Sequence, residues 1–377
     1  MKKILSLVLA LVMICTALAV FASCGNSTAD IILITDKGNI DDKSFNQGAW
    51  EGVVEYAKAN NITHKYIKPE EASDAGYLAA IDLAVESGAK IVVTPGYLFE
   101  VAVYEAQTKY PGVKFILLDG APHTADYATY ETKTNVASVM YAEEESGYLA
   151  GYAAVKDGYR KLGFMGGMAV PAVQAFGYGF LQGVNAAAAE LGLGLGDVSV
   201  TYHYTGNFEE NDTNKATAKT MYQEGTEVIF ACGGSVGKSV MAAAAEANAK
   251  VIGVDVDQRY DSETVITSAM KGLGASVIDV LKSIYDETFA DKYAGTTTYF
   301  TAANNGVGLP TTVIGGGDAF DRFNSFDKAA YDAVFATLAD GTVDPIRTIA
   351  IEDPNGVATK FELISKLQLT LIDVVVR

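Results

Sequence analysis

The feature that most constrains this chain is its regular alternation of short, continuously apolar runs with longer helical stretches. Residues 30–35, 90–94 and 113–118 are such runs, and the pattern predicts helices over 44–59, 73–86 and 98–109. A second series follows the run at 135–140. Its expected strands are 161–165, 198–204, 227–231, 250–254 and 265–268. Its expected helices are 144–156, 171–191, 213–224, 238–248 and 274–287. Strands without a polar face are buried on both sides, which implies parallel sheets covered by helices, hence an α/β fold. A chain of 377 residues can hold two such lobes. Parallel sheets bind ligands beyond the carboxyl ends of their strands. The polar residues expected there are Asp36, Asp119, Gly233-Gly234 and Asp255, and a single cleft would gather them.

Two stretches echo one another. Phe45, Gly48, Gly52 and Val53 recur at identical spacing as Phe176, Gly179, Gly183 and Val184, each set following the first strand of its series. Two lobes built alike would each offer an aromatic ring at the start of their first helix. Phe45 also lies on one helical stripe with Ala49, Val53 and Tyr56, so core packing is its other reading.

Between residues 35 and 47 the chain reads Thr-Asp-Lys-Gly-Asn-Ile-Asp-Asp-Lys-Ser-Phe-Asn-Gln. Gly38 permits a sharp turn after the strand, and Asp42 or Ser44 can cap the helix. The loop half-matches the calcium-binding opening of nucleoside hydrolases. Ile34 and Lys37 stand where that signature has Asp and Pro, and one extra residue separates Gly38 from Asp41, all of which weakens cation binding. Residues 232–239, Cys-Gly-Gly-Ser-Val-Gly-Lys-Ser, end like a phosphate loop but are one residue too short. Gly233 and Gly234 remain suited to close backbone approach, or to a plain βα turn. Asp255 can accept from two sugar hydroxyls and Lys271 can donate to a further oxygen; the alternative is an ion pair between them at the lobe surface.

No Ser/His/Asp or Cys/His constellation is present, so no catalytic residue is assigned. His64, His123 and His203 are scattered and share no metal-ligand spacing with Cys232. No cofactor is implied. The net charge of −18 argues against a nucleic-acid partner, which needs a basic footprint. At the N-terminus, Lys2 and Lys3 precede an apolar run from Ile4 to Ala22, the order of a signal peptide. Phe21-Ala22-Ser23-Cys24 resembles a bacterial lipobox, with Phe where Leu is usual. Residues 1–23 are thus expected to be removed, Cys24 to carry lipid (palmitate among it), and residues 24–29 to form a tether. An uncleaved anchor is the alternative; both place the body outside the cytoplasm, at the cell membrane.

Five segments stand out together: Ile-Asp-Asp-Lys-Ser-Phe-Asn-Gln at 40–47, Val-Ala-Ser-Val at 136–139, Ser-Gly-Tyr-Leu-Ala-Gly at 146–151, Gly-Phe-Met-Gly-Gly-Met at 163–168 and Gly-Val-Asp-Val-Asp-Gln at 253–258. As an ordered set they resemble the basic membrane protein family of ABC-transporter substrate-binding lipoproteins. The resemblance implies a type I periplasmic-binding-protein fold, two parallel-sheet lobes joined by three hinge crossings. It implies a nucleoside as ligand, a purine nucleoside by preference, and the permease of an ABC importer as partner. Lobe 1 is expected at 30–136 with 269–300, lobe 2 at 137–268 with 301–377. By the same resemblance Asp36 bonds the base, Phe45 stacks on it and Asn46 sits nearby. Asp255 and Lys271 hold the ribose and Gly234 approaches it. Phe176 is the expected opposing ring and Phe208 its substitute, with Asp119 at the neighbouring strand end. Asn39 departs from the family's usual Gly, and the segment after Leu309 departs from its usual short ending and receives no role. A sugar or free base as ligand, a sensory role toward a membrane receptor, and a calcium-dependent nucleoside hydrolase are the competing readings.

Overall fold

The computed structural model describes residues 28–377; the expected signal segment, lipobox and Cys24 lie outside the described residues. The first sheet contains β1 (Ile31–Ile34), β2 (His64–Ile67), β3 (Ile91–Pro95), β4 (Lys114–Leu118), β5 (Val136–Tyr141) and β11 (Thr296–Phe300). Its order is β11-β5-β4-β3-β1-β2, parallel throughout. The second sheet contains β6 (Lys161–Gly166), β7 (Val198–Tyr204), β8 (Val228–Cys232), β9 (Lys250–Asp255), β10 (Val265–Lys271), β12 (Val307–Gly308) and β13 (Ile372–Val376). Its order is β12-β10-β9-β8-β6-β7-β13, with only β12 antiparallel.

The strands are apolar because both faces are covered. In β1, Ile31 and Leu33 pack on one side against Ala49 and Val53 of α1 (Phe45–Ala59). Ile32 and Ile34 pack on the other against Tyr77 and Ile81 of α2 (Asp74–Glu86) and Val103 of α3 (Glu100–Lys109). In the second sheet Phe164 and Phe230 meet Phe176 and Phe180 of α5 (Pro171–Glu190), while Met165 and Ile229 face the opposite layer, α6 (Asp212–Gln223) and α7 (Val236–Ala247). The edge strand β2 carries polar residues and stays half exposed, which is why no apolar run marks it.

The chain crosses between the sheets after Tyr141, Lys271 and Phe300, where β5, β10 and β11 end. The expected boundaries at residues 136 and 269 are corrected accordingly. β5 pairs with β4 as far as Val139 and with β11 as far as Tyr141, and β10 runs on beside β9 as far as Met270, so each crossing waits until its strand is complete. After two crossings comes a helix held tightly to a neighbour, α4 (Glu143–Lys156) to α5 and α8 (Leu273–Tyr285) to α1. The recurring glycines serve these contacts. A Cβ on Gly179 would lie 1.9 Å from the carbonyl oxygen of Glu144, and one on Gly52 would lie 2.6 Å from that of Gly274. The echo therefore encodes close helix packing in both lobes.

The echo does not place two rings at equivalent helix starts. Phe45 opens α1, but Phe176 lies a turn inside α5, whose first residue is Pro171. The short α9 (Phe289–Lys292) packs beside α8 ahead of β11. The segment after Leu309 folds onto the second lobe through α10 (Lys328–Ala339) and α11 (Lys360–Lys366) and ends as β13 on the sheet edge.

Candidate functional site

The carboxyl ends of β1, β4, β9 and β10, with the starts of α1 and α5, surround a cavity of about 220 Å³ between the two sheets. Asp36, Phe45, Asn46, Asp119, Phe176, Phe208, Gly234, Asp255 and Lys271 all line it. The structure thus brings to one cavity the nine residues nominated from the sequence as ligand contacts. It adds Tyr97, Glu100, Glu143, Val170, Pro171 and Arg347.

On the first lobe the loop after β1 is held by its own side chains. Asp42 accepts from the backbone N–H of Ser44 (2.9 Å), Gln47 (3.1 Å) and Asn46 (3.0 Å), so it caps α1. Ser44 does not cap; its hydroxyl donates across the cleft to Asp255 Oδ2. Asn46 Nδ2 donates to Asp42 (2.9 Å) and to Asp36 Oδ1 (2.7 Å), while its Oδ1 accepts from the Asp36 N–H (3.0 Å). Asp36 Oδ1 also accepts from Gly38 N–H at 2.7 Å. Its second oxygen has no hydrogen-bond partner among the described residues. Burial pushes the Asp36 carboxyl up to about 6 despite these donors.

Lys271, at the end of β10, is the buried cation of the site. Its ammonium donates to Asp119 Oδ2 and lies 3.2 Å from Glu143 and 3.9 Å from Asp255. It sits 4.7 Å from the centroid of Phe45 and 5.4 Å from those of Tyr141 and Phe176. The alternative reading of a surface Asp255–Lys271 pair does not hold, because Lys271 is buried in a four-group cluster with Asp119, Glu143 and Asp255. Burial raises Asp119 to about 7, and the lysine offsets only part of it. Burial likewise raises Asp255 against the pull of Lys271. Glu143 behaves oppositely: Lys271 and Arg347 outweigh its burial and hold it below the usual carboxylate range. Lys271 itself resists desolvation, because Asp119, Glu143 and Asp255 hold its pKa above the usual lysine value.

Both strand-end aspartates, Asp119 (φ 55°) and Asp255 (φ 66°), adopt the left-handed conformation. Asp tolerates this better than most residues, and such strain collects at binding sites. Asp119 Oδ1 is buried and has no hydrogen-bond partner among the described residues. On the second lobe Gly234 also has positive φ (54°) and lies beside the Phe208 carbonyl, so the loop backbone comes close to the cavity. Phe208 is half-buried, whereas Phe176 is almost wholly buried with its edge against Phe230. The lobes touch at the rim, where Gln258 Nε2 donates to the Lys43 carbonyl (2.7 Å) and Lys238 to that of Asp41 (3.3 Å).

A family model described as "ABC transporter substrate-binding protein PnrA-like" matches residues 29–336. The chain belongs to this family. Among relatives of this PnrA-like chain, the "ABC transporter nucleoside-binding protein BmpA" of Lactococcus lactis is 31% identical over 301 residues, covering 74% of this chain and 80% of that protein. "Basic membrane protein A" of Borreliella burgdorferi is 28% identical over 281 residues, covering 74% and 78%. The solved solute-binding protein of an ABC transporter system from Aeropyrum pernix superposes with a TM-score of 0.72 at 23% identity, covering 86% of this chain and 94% of that one. That likeness shows the fold, the type I periplasmic-binding-protein architecture. Glu143 and Arg347 went unseen in the sequence. Glu143 opens a helix among three consecutive glutamates, which reads as a solvated helix start, and Arg347 lies just beyond the family match, which ends at residue 336, in a stretch without any motif.

Proposed function

We propose that this PnrA-like protein captures a nucleoside, of the purine type, between its lobes and delivers it to the permease of an ABC importer, without chemical turnover. The observation that carries this reading is the mixed lining of the cavity. The rings of Phe45, Phe176 and Phe208, with Val170 and Pro171, share it with the charged cluster of Asp119, Asp255, Glu143 and Lys271, whose ammonium lies 4.7 Å from the Phe45 centroid. A purine nucleoside calls for both kinds of partner, with a flat apolar ring and a sugar rich in hydroxyls. In this reading Phe45 stacks on one face of the base and Phe208, the less buried ring of the second lobe, covers the other, with Phe176 behind. The second oxygen of Asp36 accepts from a ring N–H. Asp255 and the unpartnered oxygen of Asp119 accept from ribose hydroxyls, Lys271 donates to a sugar oxygen, and the Gly234 backbone lies alongside. The nucleoside-binding relative in Lactococcus supports the ligand class. Removal of residues 1–23 and lipid on Cys24 complete the proposal and tether the body to the extracytoplasmic face of the cell membrane.

The hydrolase reading fares worse on this geometry. Both oxygens of Asp42 and one of Asp36 already accept from the loop's own N–H groups, so a calcium ion would have to displace them. Calorimetric titration of ligand-stripped protein with guanosine, inosine, adenosine, their free bases and ribose tests the proposal. Phe45→Ala should weaken nucleosides and bases alike, by about 1–3 kcal/mol per lost stacking contact. Asp255→Ala should weaken nucleosides selectively. Tight binding of a simple pentose or hexose with no response to any nucleoside would refute it.

A further inference from the structure

Arg347 stands outside the span that matches the family, residues 29–336, yet it lines the cavity. The segment after Leu309 delivers it from the second lobe. One of its terminal nitrogens, Nη1, donates to the Tyr141 carbonyl (2.6 Å) and to Glu144 Oε2 (2.6 Å), and lies 2.6 Å from Glu143 Oε2. Tyr141 is the last residue of β5, where the chain first crosses between lobes, and the two glutamates begin the helix that follows. The guanidinium therefore ties a hinge carbonyl to two carboxylates. Glu143 is in turn a direct partner of Lys271 through its other oxygen, at 3.2 Å.

We infer that Arg347 is a positioning residue for the ligand site: it takes up the negative charge of Glu143 and Glu144 at the hinge, so that the Lys271 ammonium, shared among Asp119, Glu143 and Asp255, is not drawn wholly to Glu143. The groups facing Glu143 support this division. Lys271 comes from β10, Asp119 from the end of β4, Asp255 from the end of β9, Tyr141 from β5, and Glu144 from its own helix. Without Arg347, the Lys271 ammonium alone would face Asp119, Glu143 and Asp255, and Glu144 would lose its partner. Glu143 is only 1% exposed, so bulk solvent compensates poorly for the lost cation. Two outcomes remain open to it, to draw Lys271 away from the strand-end aspartates or to take up a proton. The first disturbs the groups proposed for the sugar; the second depends on pH.

The inference rests on the nucleoside reading for its binding readout, so a ligand-free readout accompanies it. The variants are Arg347→Met, which keeps length and loses charge, Arg347→Lys, and Arg347→Met combined with Glu143→Gln. Guanosine affinity by calorimetry and thermal midpoints without ligand are measured from pH 5 to 8. Arg347→Met should lose about tenfold or more in affinity at pH 8 and recover toward pH 5. Loss of the cation raises the folded pKa of Glu143, so its stability deficit should be small at pH 5 and grow as pH rises. Arg347→Lys and the double variant should each restore most of both. A deficit equal at every pH, rescued by neither the lysine nor the Glu143→Gln change, would assign Arg347 a purely structural role and overturn the inference. An Arg347→Met protein with unchanged midpoint at pH 8 would overturn it as well. If wild-type protein ignores every nucleoside, the ligand proposal fails, and the pH dependence of the midpoints still decides the role of Arg347.

Discussion

Replacing Lys271 by Met tests the electrostatic logic of the cavity directly. The methionine nearly matches the aliphatic stem, so the loss is the charge. Lys271 is 2% exposed on its side chain and neighbours Asp119, Glu143 and Asp255. Removing one member of a buried ion pair costs about 3–5 kcal/mol, because the partner is left uncompensated. Three partners do not triple that figure, since a carboxylate can escape by protonation. Burial already raises Asp119 to about 7 with the lysine present, so it can be neutralised at pH 8 at little cost. Glu143 keeps Arg347, and Asp255 keeps the Ser44 hydroxyl. The expected destabilisation is therefore about 3–5 kcal/mol at pH 8, a fall in melting temperature of about 6–20 °C by the scaling for domains of 150–250 residues. The sign with pH follows from the raised carboxyls. They are protonated at low pH and ionise as pH rises, so the deficit relative to wild type should shrink toward pH 5 and grow toward pH 8. Scanning calorimetry of the ligand-free protein at both pH values reads this, with Asp119→Asn added to recover part of the loss. A melting temperature within about 2 °C of wild type at pH 8, or a deficit independent of pH, would refute the cluster as described.

Other outcomes follow from single positions. Asp36 titrates at about 6, raised by burial, so the acceptor form prevails above that pH; nucleoside affinity should fall by at most about tenfold per unit below pH 6, and Asp36→Asn should flatten the profile in titrations from pH 5 to 8. Gly179→Ala places a Cβ 1.9 Å from the Glu144 carbonyl, so α4 and α5 must part; a loss of about 2–3 kcal/mol or more in urea unfolding is expected, and an unchanged midpoint would contradict the close crossing. Cys24→Ser should release the body from membranes on fractionation, whereas an uncleaved, fully membrane-bound protein would show that the apolar run is a permanent anchor.

The helices and strands of both lobes were legible because each is a run whose composition reports its own burial. Ile31–Ile34 is apolar on both faces because helices cover both faces, and Asp36 marks the end of that strand in the sequence itself. The strand-end residues could be nominated together because a parallel sheet presents every carboxyl end on one side. Edge strands such as His64–Ile67 and Thr296–Phe300 escaped, since half-exposed strands carry no apolar signature. The crossing points were misplaced by a few residues because hydrophobicity does not say which sheet a strand joins; hydrogen-bond pairing does. The role of Phe176 changed for a related reason. Its spacing from Gly179 and Gly183 repeats that of Phe45, but where α5 begins is set by Pro171 and the preceding loop. Only the tertiary structure decided the charge arrangement. Glu143 and Arg347 lie 204 positions apart in number, and an ion pair at such separation leaves no local pattern. What the sequence determined alone was the class of fold and the strand ends that face the cleft, because burial and turn geometry are local. What required the fold was the assignment of each buried charge to its partner, because Coulomb energy depends on distance in space and on the water excluded around it.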